Sequence, residues 1–170
     1  MRNPTLYIMC GLSFSGKTVL SKAISEDTGI VRIGEDDISH ERGLGLSGVM
    51  LSDETWVEIH AEAERRIKRL LEQGRGVVYD TTAFTKEQRD HLRELASHAG
   101  AESRVVYMDV GKVEARRRFL ENRGSKERFD VHEEDFNMVV EHFEPPLKEK
   151  DVLIYKPGDD PNEWAKRNLV

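Results

Sequence analysis

Eight consecutive residues, Gly11-Leu12-Ser13-Phe14-Ser15-Gly16-Lys17-Thr18, follow the spacing glycine, four residues of any type, glycine, lysine, then serine or threonine. That spacing suits a loop that wraps phosphate. Its glycines let backbone N–H groups converge in a tight turn and approach phosphate oxygens where a Cβ would intrude. A helix leaving the loop adds its unpaired N–H groups and the positive end of its dipole. Lys17 would bring a point charge to the β- and γ-phosphates, and the Thr18 hydroxyl would ligate the Mg²⁺ that travels with ATP. The expected ATP contacts are Gly11, Ser13, Phe14, Ser15, Gly16, Lys17, Thr18 and Val19. The bland alternative, a glycine turn that merely joins strand to helix, fits poorly with a full motif match between an apolar run and an amphipathic one.

Two acidic positions complement the loop. Glu35-Asp36-Asp37 follows a short apolar run, and Asp80 closes the run Gly76-Val77-Val78-Tyr79-Asp80. Phosphoryl transfer needs an acceptor hydroxyl held in line, a carboxylate to receive its proton, and cations on the phosphoryl oxygens. Asp36 is the candidate for that carboxylate. Asp80 could order a Mg²⁺-bound water or hold the acceptor. The competing readings are a solvated turn or helix cap at Asp36 and Asp37 and an N-cap at Asp80, for which Thr85 is the better placed. Cations cluster at Arg116, Arg117, Arg118, Arg123, Lys126 and Arg128 in an otherwise acidic chain. Arg116 and Arg123, seven residues apart, share a face if a helix continues between them. Arg123, followed by Gly124-Ser125, is the candidate from a segment able to close over ATP and exclude water. Arg116 and Arg128 are further phosphate-binding candidates, while at least half of the cluster reads as a solvated face paired with Glu114 and Glu121.

These side chains need a frame. Residues 5–10 form an apolar run suited to a central parallel strand. Residues 16–28 read as a helix with Val19, Leu20, Ala23 and Ile24 inward, ended by Gly29. A strand over 30–34 precedes a glycine-dotted segment, 38–52, expected to be a mobile substrate-side loop or to hold a short helix. Trp56, Ile59, Ala63, Ile67 and Leu70 mark a helix over 53–73, capped by Ser52 or Asp53 and stopped by Gly74. Then come a strand at 76–80, a helix at 86–99 with Leu92, Leu95, Ala96 and Ala99 inward, a strand at 104–110 and a basic helix at 113–121. An arginine-rich connector, 122–130, leads to a helix at 133–143, a strand at 152–155 and a last helix at 161–168. Strands alternating with amphipathic helices predict one α/β domain with a parallel sheet covered on both faces. In such a sheet ligands collect outside the carboxyl ends of the strands, where the loop, Asp36 and Asp80 all fall.

A chain of 170 residues, 38% hydrophobic and 34% charged, suits one globular domain. Its net charge of −6 offers no general attraction to nucleic acid or anionic membrane. The single cysteine, Cys10, excludes an internal disulfide and reads as a small buried hydrophobe. No signal-peptide pattern and no membrane-length apolar run is present, so the expected address is cytoplasmic. The six histidines show no metal-ligand spacing; His60, His91 and His98 read as surface or boundary residues of helices, and His40 alone stands near the acceptor side.

Four ordered motifs, the loop at 11–18, Ile33-Gly34-Glu35-Asp36-Asp37, Val78-Tyr79-Asp80-Thr81-Thr82 and Asn122-Arg123-Gly124-Ser125, give the chain a resemblance over nearly its whole length. It resembles the small P-loop kinases grouped around the kinase domain of polynucleotide kinase, and more distantly the zeta-toxin-type and chloramphenicol phosphotransferases. The resemblance implies a P-loop NTPase three-layer sandwich with a five-stranded parallel sheet in the adenylate-kinase order 2-3-1-4-5. It also implies phosphate and Mg²⁺ binding by Lys17 and Thr18, a base role for Asp36, a place for Asp80 beside the acceptor phosphate or the metal shell, and a lid role for Arg123. Two departures stand out: the family usually has Pro-Gly where this chain has Ser13-Phe14, and the arginine that often follows the Asp-Asp pair is Ser39, with Arg42 a possible substitute from the next turn. The leading expectation is transfer of the ATP γ-phosphate to a hydroxyl of a small nucleoside, nucleotide or sugar-like molecule. A polynucleotide 5′-hydroxyl kinase and a regulatory ATP-binding NTPase are the alternatives.

Overall fold

In the computed structural model the described residues are 3–44, 51–125 and 131–169. Five strands, β1 (Thr5–Cys10), β2 (Val31–Gly34), β3 (Val77–Asp80), β4 (Glu102–Met108) and β5 (Val152–Tyr155), form one sheet in the order β2-β3-β1-β4-β5, every neighbouring pair parallel. This is the order the resemblance implied. Seven helices are described: α1 (Lys17–Thr28), α2 (Glu35–Glu41), α3 (Asp53–Glu72), α4 (Lys86–His98), α5 (Lys112–Ser125), α6 (Glu133–His142) and α7 (Pro161–Leu169).

The central strand shows why the sheet is sandwiched. Successive side chains of β1 point to opposite faces. Leu6, Ile8 and Cys10 pack with Ile59, Ala63 and Ile67 of α3 and Leu92 and Ala96 of α4. Tyr7 and Met9 pack with Leu20 and Ile24 of α1 and with Trp164 and Ala165 of α7. Fully burying each large apolar side chain contributes about 1.5–3 kcal/mol, so both faces of this run select helical cover. A third cluster, Leu12, Val110, Ala115, Phe119 and Phe136, joins α5 and α6 to the end of β1. Among the described residues no helix is long and apolar enough to cross a membrane.

Local signals set most boundaries. Ser52 caps α3 by accepting from the Thr55 N–H at 3.2 Å. Thr85 and Gln88 form a reciprocal capping box on α4, so the capping role falls to Thr85 and not to Asp80. Gly29 takes a left-handed conformation (φ 72°) to end α1. Two expectations are corrected and one pair of alternatives is decided. Val19 is not inward but 47% exposed, and Ser21 takes the buried place on α1. The acidic triplet at 35–37 opens α2, which runs to Glu41, so the segment expected as a loop or a short helix starts as a helix. The arginine-rich connector begins later than expected, because α5 continues through Asn122, Arg123 and Gly124 to Ser125. Lys126 and Arg128 lie outside the described residues.

One fully buried charge fastens the sheet's carboxyl edge. Arg89 of α4 grips Glu149 through Nε (3.1 and 3.2 Å) and Nη2 (2.5 Å), and donates to the carbonyls of Ala83 and Glu144, both at 2.8 Å. A buried charge is tolerated only when paired and hydrogen-bonded in this way. The link to Ala83 holds the chain just beyond Asp80. Beside it, burial pushes the Cys10 thiol up to about 11, consistent with a neutral, inert side chain.

Candidate active site

Strands β1, β3 and β2 are neighbours, so their carboxyl ends bring residues 11–18, Asp80 and Asp36 to one edge of the sheet. Gly34 is in register with Asp80 across the β2–β3 pair. The loop is tied to the β3 end by the Gly11 N–H, which donates to the Thr82 carbonyl at 3.3 Å. Gly11 is required by close approach: a Cβ there would lie 2.8 Å from both Met108 Cβ and Ser15 Oγ. Gly16 is required by conformation, with φ of 94° at the α1 N-cap.

Phe14 also has positive φ, 64°, a region that bulky residues rarely enter. It stands where the resembled kinases usually carry glycine, which accounts for the conformation. What holds Phe14 there is packing. Its ring meets Phe119 of α5 edge-on at 5.7 Å, and its carbonyl accepts from Arg118 Nη1 at 3.3 Å.

Lys17 Nζ donates to the carbonyls of Gly11 (3.0 Å) and Leu12 (2.8 Å), across the curl of the loop. Burial lowers its proton affinity, while the carboxylates of Asp80, Glu35 and Asp36 pull it back up. Ser15 is 2% exposed, and its Oγ is one of two buried side-chain oxygens without a hydrogen-bond partner among the described residues. An unpartnered hydroxyl inside a curl of backbone amides and one ammonium group fits a bound phosphate.

Asp80 is held by a residue that the sequence did not single out. Arg32 of β2 donates from Nη2 to Asp80 Oδ2 at 2.6 Å and from Nε to Ser21 Oγ at 2.8 Å, and forms an ion pair with Asp37. Ser21 Oγ lies 3.1 Å from the same Asp80 oxygen. Arg32 and Asp80 are 12% and 8% exposed, so this pair is largely shielded from water. Because both partners use Oδ2, Oδ1 is the oxygen able to face a metal-bound water. A hydroxyl at Thr18 and a carboxylate at Asp80 are the hard oxygen donors that Mg²⁺ prefers, with its remaining positions filled by phosphates and water. Among the described residues no group of three or more His, Cys, Asp or Glu side chains is arranged to hold a metal.

Arg32 reaches Asp80 and Asp37 over Gly34, where a Cβ would lie 2.7 Å from Asp37 Oδ2 and 2.9 Å from Arg32 Nη2. Both obstacles are ends of flexible side chains. Gly34→Ala is therefore expected to fold with a loss of about 1–2 kcal/mol, read from the urea midpoint, as the guanidinium is pushed off its partners. An unchanged midpoint would show that Arg32 does not need the gap.

Asp36 is exposed at this edge of the sheet, yet neighbouring protein displaces part of the water around its carboxyl. Its pKa is raised, first by that desolvation, then by Asp80, Glu35 and Asp37, with Arg32 opposing. A carboxylate of raised basicity beside a phosphate loop is suited to taking a proton. Glu35, its neighbour on α2, accepts from Tyr79 OH (2.6 Å) and Thr81 Oγ1 (2.9 Å) and pairs with His60 Nε2 (3.3 Å). His60 is thus more than a surface residue: hydrogen bonding to Glu35 raises its pKa. Arg42 is turned to Glu58 at 3.3 Å.

The described members of the arginine cluster all meet carboxylates of α5 or α6. Arg117 pairs with Glu114 and Glu121, and Arg118 Nε donates to Glu114 at 2.8 Å. Arg116 and Arg123 do share a face of α5, and both reach Glu133 of α6, at 3.2 and 3.4 Å. Arg123 also lies over the Phe119 ring, 4.6 Å from its centroid. A cavity of about 190 Å³ opens beside the loop between Ser15, Gly16, Val19, Arg118, Tyr155 and Pro157. Arg118, Tyr155 and Pro157 were not expected there. The exposure of Val19 follows from its place on this wall.

A parallel sheet in this order, with a glycine-lysine-threonine loop at the end of its central strand and carboxylates on the two strands beside it, defines a small P-loop kinase. The chain belongs to the AAA domain family, whose model matches residues 6–146. It is similar to the probable gluconokinase of Schizosaccharomyces pombe, 26% identical over 161 residues that cover 89% of this chain and 82% of that protein. In fold it is similar to a gluconokinase from Sinorhizobium meliloti 1021, at 21% identity, TM-score 0.65 and coverage of 98% and 90% of the two chains. It is also similar in fold to an APS kinase from Mycobacterium tuberculosis, solved with AMPPNP and APS, at 20% identity, TM-score 0.66 and coverage of 98% and 96%.

Proposed function

We propose that the protein is an ATP-dependent kinase that moves the γ-phosphate to a hydroxyl of a small molecule. The observation that carries this reading is the placement of Asp36, a carboxylate of raised basicity, at the mouth of the same sheet edge as the Lys17 loop. In this reading Gly11, Ser13, Phe14, Ser15, Gly16, Lys17, Thr18 and Val19 hold ATP, with its adenine directed to the cavity walled by Arg118, Tyr155 and Pro157. Thr18 and, through water, Asp80 would hold Mg²⁺, which when bound would supply charge neutralisation on the phosphates. Asp36 takes the acceptor's proton as the new O–P bond forms, and the bond to the ADP oxygen breaks with its electron pair leaving on ADP. Lys17 and, from α5, Arg123 and Arg116 answer the charge on the phosphoryl oxygens. Those two arginines rest on Glu133, so their part requires exchanging that carboxylate for phosphate. The gluconokinase likeness supports a small hydroxylated acceptor, and a cytoplasmic address belongs to the same reading.

The test incubates purified protein with γ-labelled ATP, Mg²⁺ and pooled small hydroxyl compounds. Label is expected to appear on an alcohol. Binding of ATP with no label on any alcohol would reduce the protein to a nucleotide binder.

A further inference from the structure

Glu35 is a second carboxylate at the acceptor side, one position before Asp36, and proton transfer does not use it. It is 15% exposed, and its three partners, Tyr79, Thr81 and His60, all engage Oε1. Oε2 takes no hydrogen bond among the described residues. Three donors from β3, the chain just beyond it and α3 thus fix the direction in which Oε2 points. Trp56, one helical turn before His60 on α3, sets its indole 6.0 Å from the imidazole, giving this side an apolar face beside the carboxylate.

The charges around Glu35 narrow what could sit there. Arg32 is taken up by Asp37, Asp80 and Ser21, Arg42 pairs with Glu58, His60 is balanced by Glu35 itself, and Lys17, the cation that Glu35 acts on from a distance, is turned to the Gly11 and Leu12 carbonyls of the phosphate loop. The carboxylates of Asp36, Asp37 and Asp80 lie close by, and their mutual repulsion is felt in the raised pKa of Asp36. A positioned carboxylate oxygen accepts from hydroxyl or ammonium groups and repels a carboxylate or phosphate in the same place. An indole face packs well on the C–H face of a ring or carbon chain.

We infer that Glu35 is a specificity-determining residue that accepts a hydrogen bond from a second hydroxyl or an ammonium of the acceptor, so that the phosphorylated molecule is a neutral or cationic polyhydroxy compound and not a carboxylate or phosphate ester. The inference rests on the proposed kinase reading and deepens it. Asp36 faces the hydroxyl that is phosphorylated, and Glu35 holds its neighbour.

The experiment measures label transfer to acceptors matched in pairs: glucitol with gluconate, adenosine with adenosine 3′-monophosphate, and an aminosugar with its uronic acid counterpart. For each pair that is turned over, kcat/KM is expected to favour the member without an anionic group by about 10-fold or more. Glu35→Gln keeps the shape, removes the charge, and is expected to narrow that ratio to within about 3-fold. Trp56→Leu, which leaves the Glu35 partners in place, is expected to raise the acceptor KM while the ATP Kd stays within about 2-fold. A preference for the anionic member, or a ratio indifferent to Glu35→Gln, overturns the inference and leaves the kinase intact. Should Glu35→Gln not fold, the unmodified protein's ratio and the Trp56→Leu split decide. If no member of any pair takes label although ATP binds, the kinase reading falls and the inference with it.

Discussion

Asp36→Asn is expected to abolish phosphoryl transfer, by about 10²–10⁴-fold in kcat, while leaving the ATP Kd within a few-fold. Asparagine keeps the size of the side chain and can still meet an acceptor hydroxyl, but it cannot accept the proton. Labelled product and ATP titration, measured side by side, separate the two effects. Equal loss of both would remove Asp36 from the role of base. The same substitution has a second readout. The folded-state pKa of Asp36 is raised above the ordinary value of 3.8. Its stabilising contribution is therefore complete below that value and is lost as pH rises through the folded pKa, so at neutral pH the ionised carboxylate costs stability. The variant is expected to melt about 1–2 °C higher at pH 7, with the gain vanishing in acid; exposure to solvent keeps the effect small. The acid limb of the unmodified enzyme's pH–rate profile should likewise lie above the usual aspartate range. Loss of activity joined to a gain in stability is what a functional charge in a crowded carboxylate group predicts.

Lys17→Ala is expected to lower turnover by about 10²-fold or more, because the ammonium acts on charge that develops as the phosphoryl group moves. Its anchoring to the Gly11 and Leu12 carbonyls places it across the loop, and Arg32, held by Asp80 and Asp37, is not free to take its place. Burial makes the charge costly to keep, so truncation is expected to change the melting temperature little while kcat falls. Unchanged turnover would discard the role.

The frame was readable because its signals are local and redundant. Trp56, Ile59, Ala63 and Ile67 recur at helical spacing between a capping Ser52 and the stop at Gly74, and α3 occupies Asp53–Glu72. The loop at 11–18 announces itself by residue type. What escaped were features that depend on distant meetings. Arg32 lies two residues before Gly34 on a short strand, and nothing within that stretch shows that Asp80, 48 residues on, will need its guanidinium. The hint was Gly34 itself, a residue without a side chain at the end of a strand. Gly124 and Ser125 suggested that α5 had ended, because both residues favour turns, whereas Phe119 packs parallel to Phe136 at 4.5 Å and helps carry the helix on. Local propensity is a weak prior against such packing. The wall made by Arg118 and Pro157 was likewise hidden, since it joins α5 to the end of β5 only in three dimensions.

Phe14 couples two parts of the protein that are usually treated separately. Its backbone occupies a costly conformation on the outer bend of the phosphate cradle, and the counterweight is a ring wedged against α5. The cradle is therefore braced from outside: a helix that bears candidate cations also supports the bend of the anion-binding turn. Rocking α5 must either carry that turn with it or slide one benzene ring across another, so rigidity of the grip and travel of the arginines draw on a single aromatic joint.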